Sequence, residues 1–280
     1  MSSKRSVPVA LTIAGSDCSS GAGLQADLKT FTAFGVFGLT AVTCVVAEVP
    51  GKVFRIDAVD RANLSRQIEL CLAHFPVTAI KTGLLFSAEN VGVVADLLER
   101  LTPAIPVVVD PVMVATSGDI LLQPEAMELY RTRLLPRASL ITPNLSEAAV
   151  LANRTVRNLD EMRAVGAELA KEFGTRILIK GGHLKDNHAI DLLFEAGRVT
   201  EFSAPRISGV ATHGTGCTYS AAITAGLARG TALQEALVQA KEFVSRAIGS
   251  HFSWKSSLGE VQALNHQLPG LVREQSNPGS

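Results

Sequence analysis

The sequence predicts an α/β protein: a three-layer α/β/α sandwich with a mostly parallel sheet and an antiparallel hairpin at one edge. Two observations support this prediction. Short β-branched runs alternate along the chain with longer segments whose apolar residues recur at spacings of three and four. Aromatic residues make up only 5% of the 280 residues, while alanine, valine, leucine and isoleucine dominate, which is typical of parallel strands covered by helices.

Six runs are predicted to be parallel strands joined by right-handed helical crossovers. In chain order they are Val7–Ala14, Leu39–Val49, Ala79–Leu85, Val107–Val112, Leu140–Thr142 and Ile177–Lys180. The helices predicted between and after them are Leu24–Phe34, Arg61–Phe75, Ala88–Leu101, Pro124–Leu135, Leu145–Leu151, Leu159–Phe173 and Thr231–Ile248. Two runs on either side of a Glu-Ala-Gly-Arg turn, Ile190–Phe194 and Val199–Phe202, predict the edge hairpin.

Length and composition narrow the class of protein. The chain fits one domain over residues 1–280, with loose ends at about 1–5 and 274–280. Its 26 basic and 26 acidic residues balance, so we expect small-molecule partners and neither nucleic acid nor membrane. The four cysteines are spread singly, which argues against disulfides or zinc and predicts a reducing cytoplasm.

The most informative segment is His213–Ala228, where a glycine-containing turn runs directly into a helical pattern. Backbone N–H groups from Gly214 to Cys217 are expected to be unpaired at the first turn, where the helix dipole favours an anion. The same position is expected to lower the pKa of the Cys217 thiol. A phosphate fits such a site, so phosphoryl transfer is the leading hypothesis. The alternative is a plain turn before a core helix, with Cys217 as a small buried residue.

Polar residues follow several predicted strands, at the sheet edge where ligands bind in open α/β proteins. Two acids there are candidates for Mg²⁺ and a lysine for phosphate, as phosphoryl transfer requires. These residues are Gly15, Glu48, Asp110, Asn144, Glu147 and Lys180, and Asp27 lies in the helix that follows the first strand. For Asn144 and Glu147, a helix N-cap is the competing explanation. A dinucleotide-binding oxidoreductase is a weak alternative, because Gly21, Gly23 and Ala26 match that fingerprint only loosely.

The segments ALTIAGSD, GAGLQADLKTF, DPVMVATSGD, LITPNLSEA, KGGH and THGTGCTYSAA resemble, in this order and spacing, the hydroxymethylpyrimidine/phosphomethylpyrimidine kinases of thiamin biosynthesis. The resemblance covers about Val7–Ile248 and implies a ribokinase-like fold, ATP and Mg²⁺ as cofactors, and a homodimer. It also implies two sequential phosphorylations, first of 4-amino-5-hydroxymethyl-2-methylpyrimidine and then of its monophosphate. Single motifs are shared with pyridoxal kinases, so a pyridoxal kinase and a non-catalytic pyrimidine-binding homologue stay open as alternatives.

The resemblance further implies roles for individual residues. Those implied to line the pyrimidine pocket are Gly15, Asp27, Glu48, Val112 and Cys217. Those implied on the ATP side are Asn144, Lys180 and Thr212, and the acids implied around magnesium are Asp110 and Glu147. The anion hole is implied at Gly214, Thr215, Gly216 and Cys217. Cys217 stands where many sugar kinases of the superfamily have an aspartate base, so it is the candidate catalytic base.

The chain departs from the family pattern in two loops. Thr116 stands where a lysine is usual, and Gly209, Val210 and Ala211 replace a usual Thr-Lys-Asn. Loops that normally supply polar and cationic contacts are therefore less charged here. We expect the second phosphorylation, whose acceptor carries extra negative charge, to be slower relative to the first than in members that retain the lysines.

Overall fold

The structure is built on a nine-stranded mixed sheet, seen in a computed structural model that describes residues 7–102, 104–114, 121–182, 184, 187–210, 213–256 and 259–268. In chain order the strands are β1 (Val9–Asp17), β2 (Phe37–Val49), β3 (Lys52–Ala58), β4 (Val77–Thr82), β5 (Val107–Val109), β6 (Leu140–Ile141), β7 (Arg176–Lys180), β8 (His188–Glu195), β9 (Arg198–Pro205), β10 (Phe252–Ser256) and β11 (Gly259–Ala263). The large sheet has the order β3-β2-β1-β4-β5-β6-β7-β8-β9, and β10 pairs separately with β11.

Helices cover both faces of the sheet. They are α1 (Gly23–Ala33), α2 (Arg61–His74), α3 (Ala88–Arg100), α4 (Pro124–Leu129), α5 (Leu145–Leu151), α6 (Leu159–Phe173), α7 (Thr215–Ala228) and α8 (Leu233–Gly249). The helix predicted over Pro124–Leu135 is interrupted, because α4 passes into a π-helical turn at Tyr130–Leu134 and a 3₁₀ turn at Leu135–Arg137. In the described part of the chain, no helix has the length and apolar character needed to cross a membrane.

The six strands predicted to be parallel are parallel, and their side chains divide between two cores. Residues such as Ala10, Ala79 and Val108 pack with α1, α7 and α8, whereas their neighbours Leu11 and Ile80 face the opposite layer of helices. Successive side chains of a strand point to opposite faces. Any residue two positions beyond Ala10, Ala79 or Val108 therefore faces α1 and α7 as well. The three-layer α/β/α sandwich is confirmed.

The two sheet edges differ in how well the sequence predicts them. The antiparallel hairpin of β8 and β9 is present as predicted. At the other edge β3 pairs antiparallel with β2 through the turn at Gly51, and neither this strand nor the pair β10–β11 was predicted. All seven residues of β3 are exposed or only half-buried, so the strand lacks the buried face that makes alternation visible.

Candidate active site

A cavity of about 550 Å³ lies at the carboxyl ends of the parallel strands. Most of the predicted site residues line it: Gly15, Glu48, Asp110, Val112, Asn144, Glu147, Lys180, Gly214, Thr215, Gly216 and Cys217. Asp27 is not part of the lining, and Thr212 lies outside the described residues. The strand ends therefore converge as the sequence predicts, whereas Asp27, which lies on α1, does not reach the lining.

The turn before α7, residues Gly214–Cys217, is here called the anion turn. Gly214 is the N-cap of α7 with φ of 79°, and a β-carbon on it would overlap the carbonyl oxygen of Gly21. Because α7 begins at Thr215, the N–H groups of Thr215, Gly216 and Cys217 have no acceptor within the helix. The Thr215 hydroxyl is buried and has no hydrogen-bond partner in the described structure. These donors together form a site for an oxyanion.

Lys180 lies directly over the anion turn. A β-carbon on Gly216 would be 3.0 Å from Lys180 Nζ, so the glycine lets the ammonium group approach the turn without a shift. Lys180 Nζ is also 2.8 Å from Asp110 Oδ1, and the Ser220 hydroxyl donates to Asp110 Oδ2 at 3.2 Å. Burial alone would raise the pKa of Asp110, but Lys180, Lys81 and the hydrogen bond from Ser220 together outweigh it and the pKa is lowered. The predicted phosphate-binding lysine and the predicted metal-binding acid are thus paired with each other.

Asn144 and Glu147 form the capping box at the start of α5. Asn144 N donates to Glu147 Oε2 at 2.7 Å, and Glu147 N donates to Asn144 Oδ1 at 2.9 Å. The competing N-cap explanation is therefore correct, yet both residues also line the cavity. Burial raises the pKa of Glu147 to about 8, with Lys180 opposing the shift and Asp110 adding to it.

Two acidic side chains that face one cavity and repel each other provide the hard oxygen ligands that Mg²⁺ prefers. A bound cation would lower the energy of a buried Glu147 carboxylate, which lacks a cation of its own at hydrogen-bond distance in the described structure. The residues present therefore fit a magnesium ion.

Glu48 stands at one end of the cavity among apolar residues, in what we call the acceptor slot: Gly15, Val46, Glu48, Leu84, Val112 and Leu121. Gly15 is needed for this shape, because a β-carbon on it would be 2.8 Å from Cys44 Sγ. Burial, followed by repulsion from Asp17, raises the pKa of Glu48 to about 6. The slot is therefore an apolar space with one hydrogen-bonding carboxylate.

His213 and Asp17 also belong to the site, although the sequence analysis treated His213 only as part of a turn. His213 Nε2 is 3.2 Å from Asp17 Oδ2, and both residues line the cavity next to Glu48. Burial would raise the pKa of Asp17, but hydrogen bonds from His213, Ser19 and Ala22 lower it to about 2. Burial opposes the charge on His213, yet Asp17 and Glu48 outweigh it and raise the pKa of the imidazole.

Asp17, Glu48 and His213 each place one possible metal-ligand atom within 4.8 Å of the other two. The contact with Asp17 favours the protonated form of His213, which offsets part of the negative charge of the two acids. No short-range sequence signal could identify this contact, because Asp17 and His213 are 196 residues apart.

Asp27 is placed differently from its prediction in the acceptor pocket. It is fully buried beneath the cavity, where Lys81 Nζ contacts both of its carboxylate oxygens at 2.8 Å. The Thr12 hydroxyl donates to Asp27 Oδ2 at 2.5 Å. Lys81, which the sequence analysis missed, does line the cavity. A lysine inside the apolar strand β4 was the available signal, because a buried charge requires a partner.

The prediction of a lowered thiol pKa for Cys217 is wrong. Burial raises the pKa of this thiol to about 12, and Lys81 opposes the shift only in part. The backbone N–H of Gly23 donates to the sulfur and also favours the thiolate. A helix N-terminus does stabilise a thiolate, but removal from water dominates at this position.

Comparison with known proteins identifies the family. Residues 17–262 match the phosphomethylpyrimidine kinase family. The chain is 43% identical over 243 residues to a hydroxymethylpyrimidine/phosphomethylpyrimidine kinase of Rhizobium meliloti, covering 86% of this chain and 91% of that one. It is 40% identical over 238 residues to the thiamine biosynthesis bifunctional protein ThiED of Geobacter sulfurreducens, covering 85% of this chain and 48% of that one.

A solved structure extends the comparison. An ADP complex of Bacillus subtilis pyridoxal kinase superimposes with a TM-score of 0.85 at 36% identity, covering 94% of this chain and 98% of that one. That protein shares the three-layer fold described above. With the family match over most of its length, the chain belongs to the phosphomethylpyrimidine kinase family.

Proposed function

We propose that this enzyme transfers the γ-phosphoryl group of ATP to the hydroxymethyl group of 4-amino-5-hydroxymethyl-2-methylpyrimidine, and then to the resulting monophosphate. One observation supports this most directly. A single cavity joins an apolar slot containing one carboxylate to an oxyanion site containing a lysine and two acids. The names of the relatives supply the acceptor class and the thiamin pathway, and a solved relative binds ADP.

The acceptor slot suits an aminopyrimidine. Glu48 can accept a hydrogen bond from the exocyclic amine, while Val112 and Gly15 contribute to the apolar lining that faces the ring. Because Glu48 is half-buried, such a charged hydrogen bond is worth more than it would be in water. In this arrangement Glu48 sets the identity and orientation of the acceptor.

The anion turn and Lys180 bind the phosphoryl oxygens, and Asn144 and Thr212 belong to the nucleotide side of the site. Asp110 and Glu147 would hold Mg²⁺, which when bound supplies positive charge to the phosphate oxygens. Lys180 contacts Asp110 in the structure, so the lysine and the acid position each other before any ligand arrives. Donors fixed in this way stabilise transition-state charge without reorganising during the reaction.

Cys217 accepts the proton of the attacking hydroxyl. Its thiol lines the cavity at the first turn of α7, beside the donors that receive the phosphoryl group. Because burial raises its pKa to about 12, the thiolate needs local positive charge in order to form near neutral pH.

A phosphorylation assay with the pyrimidine alcohol and its monophosphate, supplied separately, tests the proposed function. We expect ATP-dependent transfer to both acceptors. If folded protein transfers phosphate to neither acceptor, the assignment is refuted. Binding of the pyrimidine without turnover would instead establish a non-catalytic homologue.

A pyridoxal kinase is the second candidate, supported by the superposition on the Bacillus subtilis enzyme. Competition between pyridoxal and the pyrimidine alcohol in one assay separates the two activities. A higher kcat/KM for pyridoxal than for either pyrimidine would favour this candidate. We expect the opposite order, because Glu48 matches an amine donor on the acceptor.

The assembly and compartment are part of the proposal. Val45, Val49 and Phe54 on the paired edge strands β2 and β3 are 53%, 42% and 63% exposed, and exposed apolar side chains of this kind are often covered by subunit contacts. We place the homodimer contact there. Light scattering tests this, because the parent should have the mass of a dimer and Phe54→Glu the mass of a monomer. The four free cysteines support a reducing, cytoplasmic location.

A further inference from the structure

Lys81, Asp27 and Thr12 form a charged cluster beneath the floor of the active site. Lys81 Nζ contacts both Asp27 oxygens at 2.8 Å and Thr12 donates to Asp27 at 2.5 Å, and all three side chains have 0% exposure. Thr12 and Lys81 lie two positions beyond Ala10 and Ala79, so the strand period directs them toward α1 and α7. Asp27 lies on α1 and Cys217 on α7.

Stability alone does not explain this cluster. Taking two charges out of water is costly, and replacing a buried ion pair with apolar side chains of similar volume is often neutral or stabilising. Burial raises the pKa of Asp27 even though Lys81 opposes the shift. A buried ion pair whose pKa values are shifted, at the edge of a reactive cavity, points to a role in the reaction.

Cys217 is the reactive group that this pair can influence. The charged groups that act on its thiol are Lys81 on β4, Lys180 on β7, Asp110 beside β5 and Asp27 on α1. Lys180 is paired with Asp110, whereas Lys81, held by Asp27, has the largest effect on the thiol after burial. Asp110 and Asp27 both disfavour a thiolate. Burial opposes the charge on Lys81, yet Asp27 and Cys217 outweigh it and hold the pKa of Lys81 above its usual range. Lys81 therefore stays protonated.

We propose that Lys81 is a positioning residue for phosphoryl transfer: fixed by Asp27 near Cys217, its ammonium group supplies the positive charge that allows the sulfur to exist as a thiolate. The inference rests on the proposed function in one respect, the role of Cys217 as base. The thiol first loses its proton to solvent. The thiolate then takes the hydroxyl proton of the acceptor, the freed electron pair forms the new bond to the γ-phosphorus, and the bond to ADP breaks with its electrons on ADP. Lys81 keeps its proton throughout.

Alkylation of Cys217 tests the electrostatic part without substrates. Iodoacetamide modification of the Cys217 peptide is followed by mass spectrometry against pH, on full-length protein in EDTA. Lys81→Met should slow alkylation at pH 8 to 9 by about tenfold, equivalent to one pKa unit. Asp27→Asn removes a nearby anion and should leave alkylation as fast as in the parent or faster. A merely structural role would open the site and speed alkylation in both variants.

A second variant guards against misfolding, because Lys81→Met leaves Asp27 buried without its cation. The triple variant Thr12→Val, Asp27→Leu, Lys81→Met makes the cluster apolar and should fold while alkylating slowly. Lys241→Met is the matched control, since Lys241 is also a buried cation, 2.6 Å from Asp191, but is not among the groups that act on Cys217. We expect parental alkylation in this control. Parental alkylation in Lys81→Met and in the triple variant would overturn the proposal.

Kinase assays separate this inference from the proposed function. Lys81→Met should lower kcat, shift the rising limb of the kcat–pH profile to higher pH and leave KM for ATP unchanged. If the parent phosphorylates neither pyrimidine, the proposed function fails while the alkylation result still decides the effect of Lys81 on the thiol. If Cys217→Ala turns over like the parent, the catalytic purpose assigned to Lys81 is overturned.

Discussion

His213 Nε2 and Asp17 Oδ2 lie 3.2 Å apart and join the end of β1 to the residue that precedes the anion turn. The contact favours a protonated imidazole next to Glu48, the residue proposed to face the acceptor. The proposed acceptor slot and the start of the anion turn are therefore connected by one side-chain contact. The consequences can be measured in the pH dependence of acceptor binding.

We predict that His213→Gln moves the pH dependence of pyrimidine binding to higher pH. Glu48 has a raised pKa of about 6, so its carboxylate is present above that pH and is lost as the pH falls through it. His213 opposes this rise, and its removal should raise the Glu48 pKa further. Calorimetric titration of the pyrimidine alcohol between pH 5 and 8 measures the midpoint. The exposed His74→Gln serves as control, and an unmoved midpoint in His213→Gln would contradict the coupling.

Replacing the acceptor-facing acid should weaken pyrimidine binding selectively. Glu48→Gln keeps the size of the side chain but removes its charge, and we expect a loss of about 1.5–3 kcal/mol for a charged hydrogen bond. The dissociation constant for the pyrimidine alcohol should rise while that for ATP stays constant. Unchanged pyrimidine affinity would show that Glu48 does not contact the acceptor.

The two acids should govern the magnesium requirement. Asp110→Asn and Glu147→Gln each remove a candidate ligand, and we expect the Mg²⁺ concentration for half-maximal rate to rise about tenfold or more in each. Because the pKa of Glu147 is about 8, protons compete with the ion below that pH, so the parental requirement should fall as the pH rises toward 8. Glu161→Gln is the matched control. Glu161 also accepts a backbone N–H at the start of a helix, from Arg157 at 2.7 Å, but it does not line the cavity. Parental magnesium dependence in both acid variants would remove this assignment.

Removal of the candidate base should slow the phosphoryl-transfer step without weakening nucleotide binding. We expect Cys217→Ala to lower kcat by about 10²- to 10⁴-fold, the range for general acid–base catalysis, with KM for ATP retained. The glycines of the anion turn keep their backbone donors in this variant. Single-turnover rates against pH are the measurement, with Cys71→Ala as control. A near-parental rate at every pH would leave Cys217 only a packing role.

The turn itself should be intolerant of a side chain. Gly214→Ala places a β-carbon on the carbonyl oxygen of Gly21 at a positive φ, where a non-glycine residue costs about 1–2 kcal/mol from conformation alone. Gly230 has a similar φ of 78° but open space around it. Gly230→Ala should therefore lose stability with activity retained, whereas Gly214→Ala should lose kcat/KM as well. Thermal unfolding and kinase assays on both variants distinguish backbone strain at a positive φ from steric overlap with the Gly21 carbonyl oxygen.

The sequence predicts local features of this protein better than distant pairings. The strands with buried faces were all identified, and Asp110, Glu147 and Lys180 were placed correctly at one edge. The pairing of Lys81 with Asp27 was not predicted, because the two residues are 54 positions apart and nothing local in the sequence indicates their contact. For Cys217 the sequence shows the start of a helix but not the depth of burial, and burial determines the direction of its pKa shift.

The position of β3 has an evolutionary consequence. Its turn and first residues, Gly51, Lys52 and Val53, line the acceptor end of the cavity, yet the strand is bonded to the rest of the sheet only through β2. Substitutions there can reshape the acceptor end without disturbing either hydrophobic core. The residues proposed for phosphoryl transfer stand over the central strands, where changes are constrained on both faces. Selection for a new alcohol can thus act on a peripheral hairpin while the machinery that uses ATP is inherited intact.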